Sequence, residues 1–342
     1  MADRVTLRDV ARMAGVHVAT ASRALSEETR SLVSEETARR VEEAARALDY
    51  RPDHLARSLK TRRSATIGVI VPDITNPLFP PIVRGVEDCL APKGYVALIG
   101  NTDNDDARER LVLERMRARY IDGLVVATAR RHHPLLVETA HSGLPLVLVN
   151  RVVDDQLLPS VSTDDHMGIR EAVSHLTELG HRRIAHVAGP QPLSTGFGRY
   201  RGFVAGLEAH GLPGDAAPVA FADAFSEDEG ARCMAELLDA GARFSAVVAG
   251  NDLLALGCLR TFAERGIQCP ADVSLIGFND MPFMDRIAPP LTTVRLPQYD
   301  VGTAAAQLLL EYVADPSAPV KIIFLRPELV LRASTAPPAP RR

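Results

Sequence analysis

The chain has 342 residues, a mass of 37.0 kDa, 24% charged residues and a formal net charge of −4. This length exceeds one ordinary hydrophobic core and predicts two or three domains. No apolar run approaches the roughly 18–20 residues that span a bilayer, and the first residues do not resemble a secretory signal peptide. We therefore expect a cytoplasmic protein with no membrane partner.

Motifs of common enzymes are absent from the sequence, which contains no P-loop, HExxH or GxSxG. The run 196–202 approaches a dinucleotide fingerprint but has an extra residue before its last glycine. The histidines at 132–133 and the run 164–166 lack further metal ligands at fixed spacing, so loop and helix-start roles explain them better. The four cysteines lack CxxC spacing, which is typical of free thiols. We expect no catalysis, cofactor or metal.

Charge is unevenly distributed along the chain. Residues 1–63 carry 13 Lys and Arg against 10 Asp and Glu, a net of +3, and the remainder carries 26 against 33, a net of −7. A basic first segment on an acidic body is expected when only that segment meets nucleic-acid phosphates. Because a surplus of three charges is small, this interpretation depends on a motif.

The first 50 residues contain three predicted helices. The first begins at Thr6, which forms a capping box with Asp9, and it ends at Gly15, which can adopt the left-handed conformation. A short second helix follows over 18–25, and a third begins at Ser34. These signals predict a small, all-α first domain.

Ala11 and Gly15 have the spacing that a helix-turn-helix requires. A small residue lies where the helices nearly touch, and a residue free of Cβ strain forms the turn. A three-helix packing unit without a nucleic-acid role is the alternative. The second helix favours DNA binding because it is short, exposes small hydroxyls and one arginine, and fits a major groove.

The run from Val5 to Leu25 resembles the head of the LacI/GalR family of bacterial transcriptional repressors. The resemblance is carried by Thr6-Leu7, Asp9-Val10-Ala11, Ala14-Gly15-Val16 and Ala19-Thr20-Ala21-Ser22-Arg23-Ala24-Leu25. It implies that base edges are read by His17, Val18, Ala19 and Arg23, and that phosphates are contacted by Thr6, Thr20 and Ser22. Arg23 is the strongest candidate for reading a base, because a guanidinium can donate two hydrogen bonds to the edge of a guanine.

Residues 53–63 are expected to form a hinge. Two turns of helix are marginal alone, and an ordinary linker is the alternative. The family carries a similar Ala-Arg-Ser-Leu segment that orders on operator DNA, where two hinge helices of a dimer enter the minor groove. The resemblance implies a leucine wedge that kinks the central base step. The implied contacts are Leu59 as the wedge, Ala56 at the close approach, and Arg57 and Lys60 near phosphates.

Beyond residue 64, apolar runs alternate with helical patterns. Continuous apolar strands between helices indicate buried parallel sheets with right-handed crossovers. Seven or more such units are too many for one sheet, so we predict two doubly wound lobes, divided near 162–163 and again near 290. The strand candidates are 67–71, 95–99, 123–126, 146–149, 184–187, 246–249 and 273–276.

Polar residues follow four of these strands, at 73–76, 150–151, 251–252 and 279–280. Ligands of open parallel sheets sit beyond the carboxyl ends of the strands, and between two lobes those ends face one cleft. Each residue alone could be a helix cap. Their recurrence at four strand ends favours a binding site.

The body also resembles the sensor of the same family, through the runs 72–77, 180–185, 199–203 and 289–294. The resemblance implies an arginine in the cleft that binds the hydroxyls or a carboxylate of the effector. It also implies amide side chains that form hydrogen bonds with the effector and an apolar wall against it. The implied effector contacts are Asp73, Asn76, Phe79, Asn150, Arg199, Asn251 and Asn279, with Phe197 and Phe278 as further apolar candidates. Many relatives have aspartate at Asn279, so the effector chemistry does not carry over there. Sugars are the commonest effectors of the family, and purines and nucleosides a minority.

We predict a helix-turn-helix head at 1–52, a hinge at 53–63, a body at 64–335 and a disordered tail at 336–342. The body consists of two doubly wound lobes of periplasmic-binding-protein type. The tail lacks the apolar heptads of tetrameric relatives, so a homodimer on pseudo-palindromic DNA is expected. The predicted function is a repressor whose operator affinity is set by a small polar effector, most simply a sugar. The alternative is a cytosolic sugar-binding or enzymatic module whose head mediates protein contacts.

Overall fold

The computed structural model describes residues 5–26, 29–50, 64–154 and 158–339. The chain divides into two compact units, Met1–Ser64 and Ala65–Arg342, which we call the head and the body. The predicted hinge contacts Ala56, Arg57, Leu59 and Lys60 lie outside the described residues and stay predictions. None of the described helices is both long and apolar enough to cross a bilayer.

The head contains three helices, α1 (Leu7–Met13), α2 (Val18–Ala24) and α3 (Glu35–Ala47), with a 3₁₀ turn at Arg30–Leu32. The start of α1 is fixed by Asp9, whose carboxylate accepts hydrogen bonds from the backbone N–H and the hydroxyl of Thr6. Gly15 has a φ of +65° and ends the first helix in the left-handed region. The predicted capping box and turn are therefore confirmed.

Small side chains fill the core of the head. Ala11, Ala21 and Ala38 are at most 2% exposed and pack with Val10 and Val41. Because alanine adds only a methyl group, the three helices approach closely.

The body alternates strands and helices in chain order. The strands are β1 (Thr66–Val71), β2 (Val96–Asn101), β3 (Gly123–Val126), β4 (Leu146–Val149), β5 (Ser160–Thr163), β6 (Ile184–Ala188), β7 (Val219–Phe221), β8 (Ala246–Ala249), β9 (Ser274–Asn279), β10 (Thr292–Arg295), β11 (Ile322–Leu325) and β12 (Glu328–Val330). The helices are α4 (Phe79–Leu90), α5 (Asp106–Arg117), α6 (Pro134–His141), α7 (Asp165–Glu178), α8 (Ser194–Ala209), α9 (Glu227–Asp239), α10 (Asp252–Glu264) and α11 (Gln298–Ala314).

These strands form two six-stranded sheets, which confirms the two predicted lobes. The first lobe has the order β11-β5-β4-β3-β1-β2, and all its pairs are parallel. The second lobe has the order β12-β10-β9-β8-β6-β7, with β12 antiparallel to β10. The carboxyl ends of the parallel strands therefore lie at one edge of each sheet, where ligands bind in such folds.

The chain passes between the lobes three times, not twice as the sequence predicts. The first crossing follows β5, close to the predicted 162–163. The second follows β10, because the hydroxyl-rich strand 292–295 still belongs to the second sheet, so the predicted division near 290 is too early. The third lies between β11 and β12, which add one strand to each sheet.

The carboxyl-terminal segment is attached to the second lobe beyond the predicted boundary at 335. The backbone N–H of Ala336 donates to the Ser274 hydroxyl at 3.0 Å, and its carbonyl lies 2.9 Å from His181 Nε2. The prediction of disorder from residue 336 is therefore wrong for Ala336, because polar groups at the base of the lobe anchor the backbone there.

Candidate DNA-binding face and effector cleft

Helix α2 presents one face to solvent. His17, Ala19 and Arg23 are exposed, whereas Ala21 and Ala24 on the other side are at most 2% exposed. Val18, Thr20 and Ser22 are half-buried. A short helix with small side chains between its exposed ends can enter a major groove without steric conflict.

His17 precedes α2 and caps it. Its Nδ1 accepts a hydrogen bond from the backbone N–H of Ala19 at 3.2 Å. The neutral ring must therefore carry its proton on Nε2, which leaves a donor for a base-edge acceptor. The cap thus fixes the tautomer of a predicted base-reading side chain.

Arg23 carries an uncompensated charge, whereas Arg30 does not. Arg23 forms no ion pair within the part of the head that the structure describes. Arg30 binds Glu35 at 2.8 Å and Glu42 at 3.1 Å, and the hydrogen bonds that it donates to these two carboxylates hold its pKa above the usual range. Arg23 is therefore the arginine of this pair that is available to DNA.

The Thr6 hydroxyl is already used within the head. It donates to the Asp9 carboxylate at 2.6 Å, as part of the helix cap. A phosphate contact from this hydroxyl would compete with the cap. The predicted phosphate contact of Thr6 therefore needs a rearrangement of the cap, whereas the contacts predicted for Thr20 and Ser22 do not.

A cavity of about 280 Å³ opens between the two lobes of the body. It lies at the ends of β4 and β5, at the first crossing and at the start of α8. Its lining residues are Asn150, Val152, Ser162, Thr163, Asp164, Asp165, His166, Ser194, Gly198 and Phe324. Because both lobes contribute, a ligand in this cavity touches both.

Asp165 joins the cavity to a buried arginine. The Arg199 Nε lies 3.2 Å from Asp165 Oδ2, and Nη1 donates to the Gly250 carbonyl at 2.8 Å. The guanidinium carbon lies 4.0 Å from the centre of the Phe278 ring, and Arg199 is 2% exposed. Burial raises the pKa of Asp165, while Arg199 and the Thr163 hydroxyl act to lower it. The two side chains form a buried pair, and the carboxylate is the member that lines the cavity.

The rest of the wall offers uncharged donors and acceptors. Asn150 adopts a left-handed φ of +65°, and its amide forms no hydrogen bond with the described residues. The Ser194 hydroxyl accepts from the backbone N–H of Val152 at 2.9 Å, so its own proton is free to donate. Hydroxyl, amide and carboxylate groups without a lining lysine or arginine suit a polyhydroxylated ligand. No cluster of three or more metal-ligating side chains occurs among the described residues.

Comparison with known proteins places both parts of the chain. Residues 6–53 match the model of bacterial regulatory proteins of the lacI family, and residues 173–335 match the periplasmic binding protein-like domain. The HTH-type transcriptional repressor CytR of Escherichia coli K12 is 35% identical over 330 residues, covering 96% of each chain. The chain belongs to the LacI family. It is a DNA-binding transcriptional regulator.

Solved structures of LacI-family proteins share the architecture. The lac repressor dimer bound to operator and the anti-inducer ONPF matches 98% of this chain and 100% of its own, with a TM-score of 0.86 and 26% identity. A LacI family regulator from Enterococcus faecium with bound ribose covers 80% of this chain and 99% of its own, with a TM-score of 0.70 and 33% identity. The likeness extends over the head and body of this LacI-family regulator.

Of the seven effector contacts predicted from the sequence, Asn150 alone lines the described cavity, and Arg199 reaches it through Asp165. Asn251 caps α10 by accepting from Leu254 N–H at 2.9 Å, so the helix-cap alternative describes it. Asn279 is 2% exposed, and its Oδ1 has no hydrogen-bond partner among the described residues. An unbonded buried acceptor is unfavourable, which keeps Asn279 as a candidate for an effector donor.

The three remaining predicted contacts have structural roles. Asp73 Oδ1 accepts from the backbone N–H and the hydroxyl of Thr75, and Asn76 Oδ1 accepts from Leu78 N–H. Both therefore organise the turn before α4. Phe79 is 1% exposed and packs in the hydrophobic core, so its ring is not a free wall of the cavity.

The sequence interpretation missed Thr163, Asp165 and Ser194 as cavity residues. The strand β5 that carries Thr163 reads as polar, Ser-Val-Ser-Thr, although all four residues are buried. A hydroxyl-rich strand followed at once by a carboxylate was the available signal. It marks another polar strand end of the kind identified at 150–151.

Proposed function

We propose that this chain is a repressor that binds pseudo-palindromic operator DNA as a homodimer and changes its operator affinity when a sugar binds between the lobes. The observation that carries the proposal is the exposed face of α2, with the uncompensated Arg23 at its end. The lac repressor relative is a dimer on its operator, which supports the same assembly here. Such a regulator acts on DNA in the bacterial cytoplasm.

The cavity supports a neutral sugar as the effector. Its wall combines carboxylate, hydroxyl and amide groups, and paired hydroxyls on a sugar can bond to all three kinds. The Enterococcus faecium relative binds ribose, which supports this class. The same wall serves as a ligand site and needs no catalytic step, so we propose a regulator without enzymatic activity. No observation among the described residues favours the alternative of a protein-binding head.

The mechanism is a shift between lobe arrangements. Residues 162–166, which line the cavity, run from the end of β5 across the first crossing into the start of α7. An effector that bonds to Thr163 or Asp165 therefore has a different free energy in each lobe arrangement, which is the requirement for coupling. Coupling of about 1–3 kcal/mol would change operator affinity roughly 5- to 150-fold.

Selection of binding sites from random duplexes by the full chain tests the DNA-binding proposal. Arg23→Ala should cost about 1–3 kcal/mol and relax the preference at one base pair in each half-site. Arg39→Ala, which removes an exposed arginine of α3, is the matched control and should keep the preference. A uniform loss of affinity over all sequences would show that Arg23 contacts phosphate alone. A tetrameric mass in sedimentation would contradict the dimer.

Thermal shift with neutral sugars, nucleosides and sugar acids tests the effector class. A sugar at 100 times its Kd should stabilise the protein by about 2.7 kcal/mol. Asp165→Asn should abolish this shift and keep operator binding, whereas Asp228→Asn, an exposed carboxylate on α9, should keep both. Stabilisation by nucleosides or acids and by no sugar would refute the sugar class.

A further inference from the structure

Arg131, in the segment after β3, bonds to the second lobe. Its backbone N–H donates to the Pro192 carbonyl at 2.9 Å. Its guanidinium carbon lies 3.6 Å from the centre of the Phe197 ring, a close cation–π contact. Arg131 is therefore attached to the start of α8 through both its backbone and its side chain.

A second bond crosses the cleft beside the first. The Val152 N–H donates to the Ser194 hydroxyl at 2.9 Å, and both residues line the cavity. Asp154 ties the two first-lobe segments together, since its carboxylate lies 2.9 Å from Arg131 Nη2 and its N–H donates to the Arg131 carbonyl. The ends of β3 and β4 are thus held as one unit against α8.

These contacts need no ligand. The positive charge of Arg131 is balanced by Asp154, and its flat face is covered by Phe197. A guanidinium that is paired and stacked at the same time is held in one geometry, so the contacts restrain one another. The lobes can therefore stay closed on the cavity before any effector enters.

We propose that Arg131, Phe197 and Ser194 form an interlobe bar that holds the cleft closed in the free protein. This closure does not rest on the proposed function, because the bar consists of contacts between protein groups alone.

Hydrogen exchange of the full-length protein without effector tests the closure. Peptides that contain the Arg131 and Val152 amides should exchange at least 10-fold more slowly in the wild type than in Phe197→Ala. The control Phe221→Ala, which removes an exposed ring of the second lobe, should match the wild type. Unchanged exchange within the buried strands β6 and β8 would show that each variant is folded. Fast exchange of both amides in the wild type, or no change in Phe197→Ala, would overturn the bar.

Discussion

Replacing Arg199 should destabilise the body itself, because the structure gives this side chain a buried structural partner. Arg199→Met leaves the Asp165 carboxylate, with 11% side-chain exposure, without its cation, and it leaves the Gly250 carbonyl without a donor. Breaking a buried ion pair by removing one partner costs about 3–5 kcal/mol. For a domain of this size, the loss corresponds to a fall in Tm of roughly 6–20 °C.

A double-mutant cycle separates the pair from the rest of the site. Asp165→Asn removes the stranded charge, so the double variant should recover at least about 2 kcal/mol relative to Arg199→Met alone. Arg199→Met and the double variant both lack the donor to the Gly250 carbonyl, so the free energy of unfolding of the double variant should stay below that of the wild type. Urea denaturation followed by circular dichroism gives the four free energies of unfolding.

The cycle also decides how Arg199 serves the effector. If Arg199 acts by holding Asp165 at the cavity, Arg199→Met should lose the effector response together with stability. A stable Arg199→Met protein, or four free energies that are strictly additive, would refute the pair. Loss of the effector response alone would instead restore the direct contact that the family resemblance implies.

Three further perturbations test packing, ionisation and the hinge. In urea denaturation, Gly302→Ala should lower the free energy of unfolding by about 3 kcal/mol, because a Cβ there overlaps the Ile82 carbonyl of α4. The control Gly198→Ala places its Cβ near no close neighbour and should raise the free energy of unfolding by about 0.5–1 kcal/mol. Burial raises the pKa of Asp252 to about 7, so the native state keeps a proton that the unfolded state loses above about pH 4. The free energy of unfolding should therefore fall by up to about 1.4 kcal/mol per pH unit between pH 5 and 7. Asp252→Asn should flatten this slope, and an equally steep fall in the variant would refute the role of Asp252. Leu59→Ala should weaken operator binding and reduce the DNA bend in a gel-shift assay, and an unchanged bend would remove the wedge.

Seven strands with apolar runs were predicted from the sequence to within three residues at each end, whereas the apolar β7 and β11 were missed along with the hydroxyl-rich β5 and β10. The observed β3, β4 and β8 have the predicted bounds, because each is a continuous apolar run of four residues. The strand β10, Thr-Thr-Val-Arg, lacks that pattern although its first three residues are buried. The hydroxyl of Thr293 is satisfied by Asp252 at 2.6 Å, a partner 41 residues away. Local periodicity carries no information about such a distant partner.

The same physics explains the partial prediction of the site. Of the four polar strand ends predicted to form the site, one, at Asn150, lines the described cavity. Whether each one caps a helix, forms a turn or faces a ligand depends on its hydrogen-bond partner. Asn251 and Asn150 look alike in sequence, but the first bonds to Leu254 N–H and the second is unbonded within the described residues. That difference exists only in three dimensions.

In the proposed mechanism, the position of the cavity accounts for the effect of a small effector on the lobes. Thr163 is the last residue of β5, in the first lobe, and Asp165 is the first residue of α7, just after the crossing. Arg199 anchors Asp165 in the second lobe. A ligand bonded to Asp165 competes with Thr163 and Arg199 for the same carboxylate oxygens. Its binding free energy therefore depends on how far these two groups are from Asp165, and so on the arrangement of the crossing. An effector at this position can change the lobe arrangement by as much as its affinity differs between the two arrangements, and by no more.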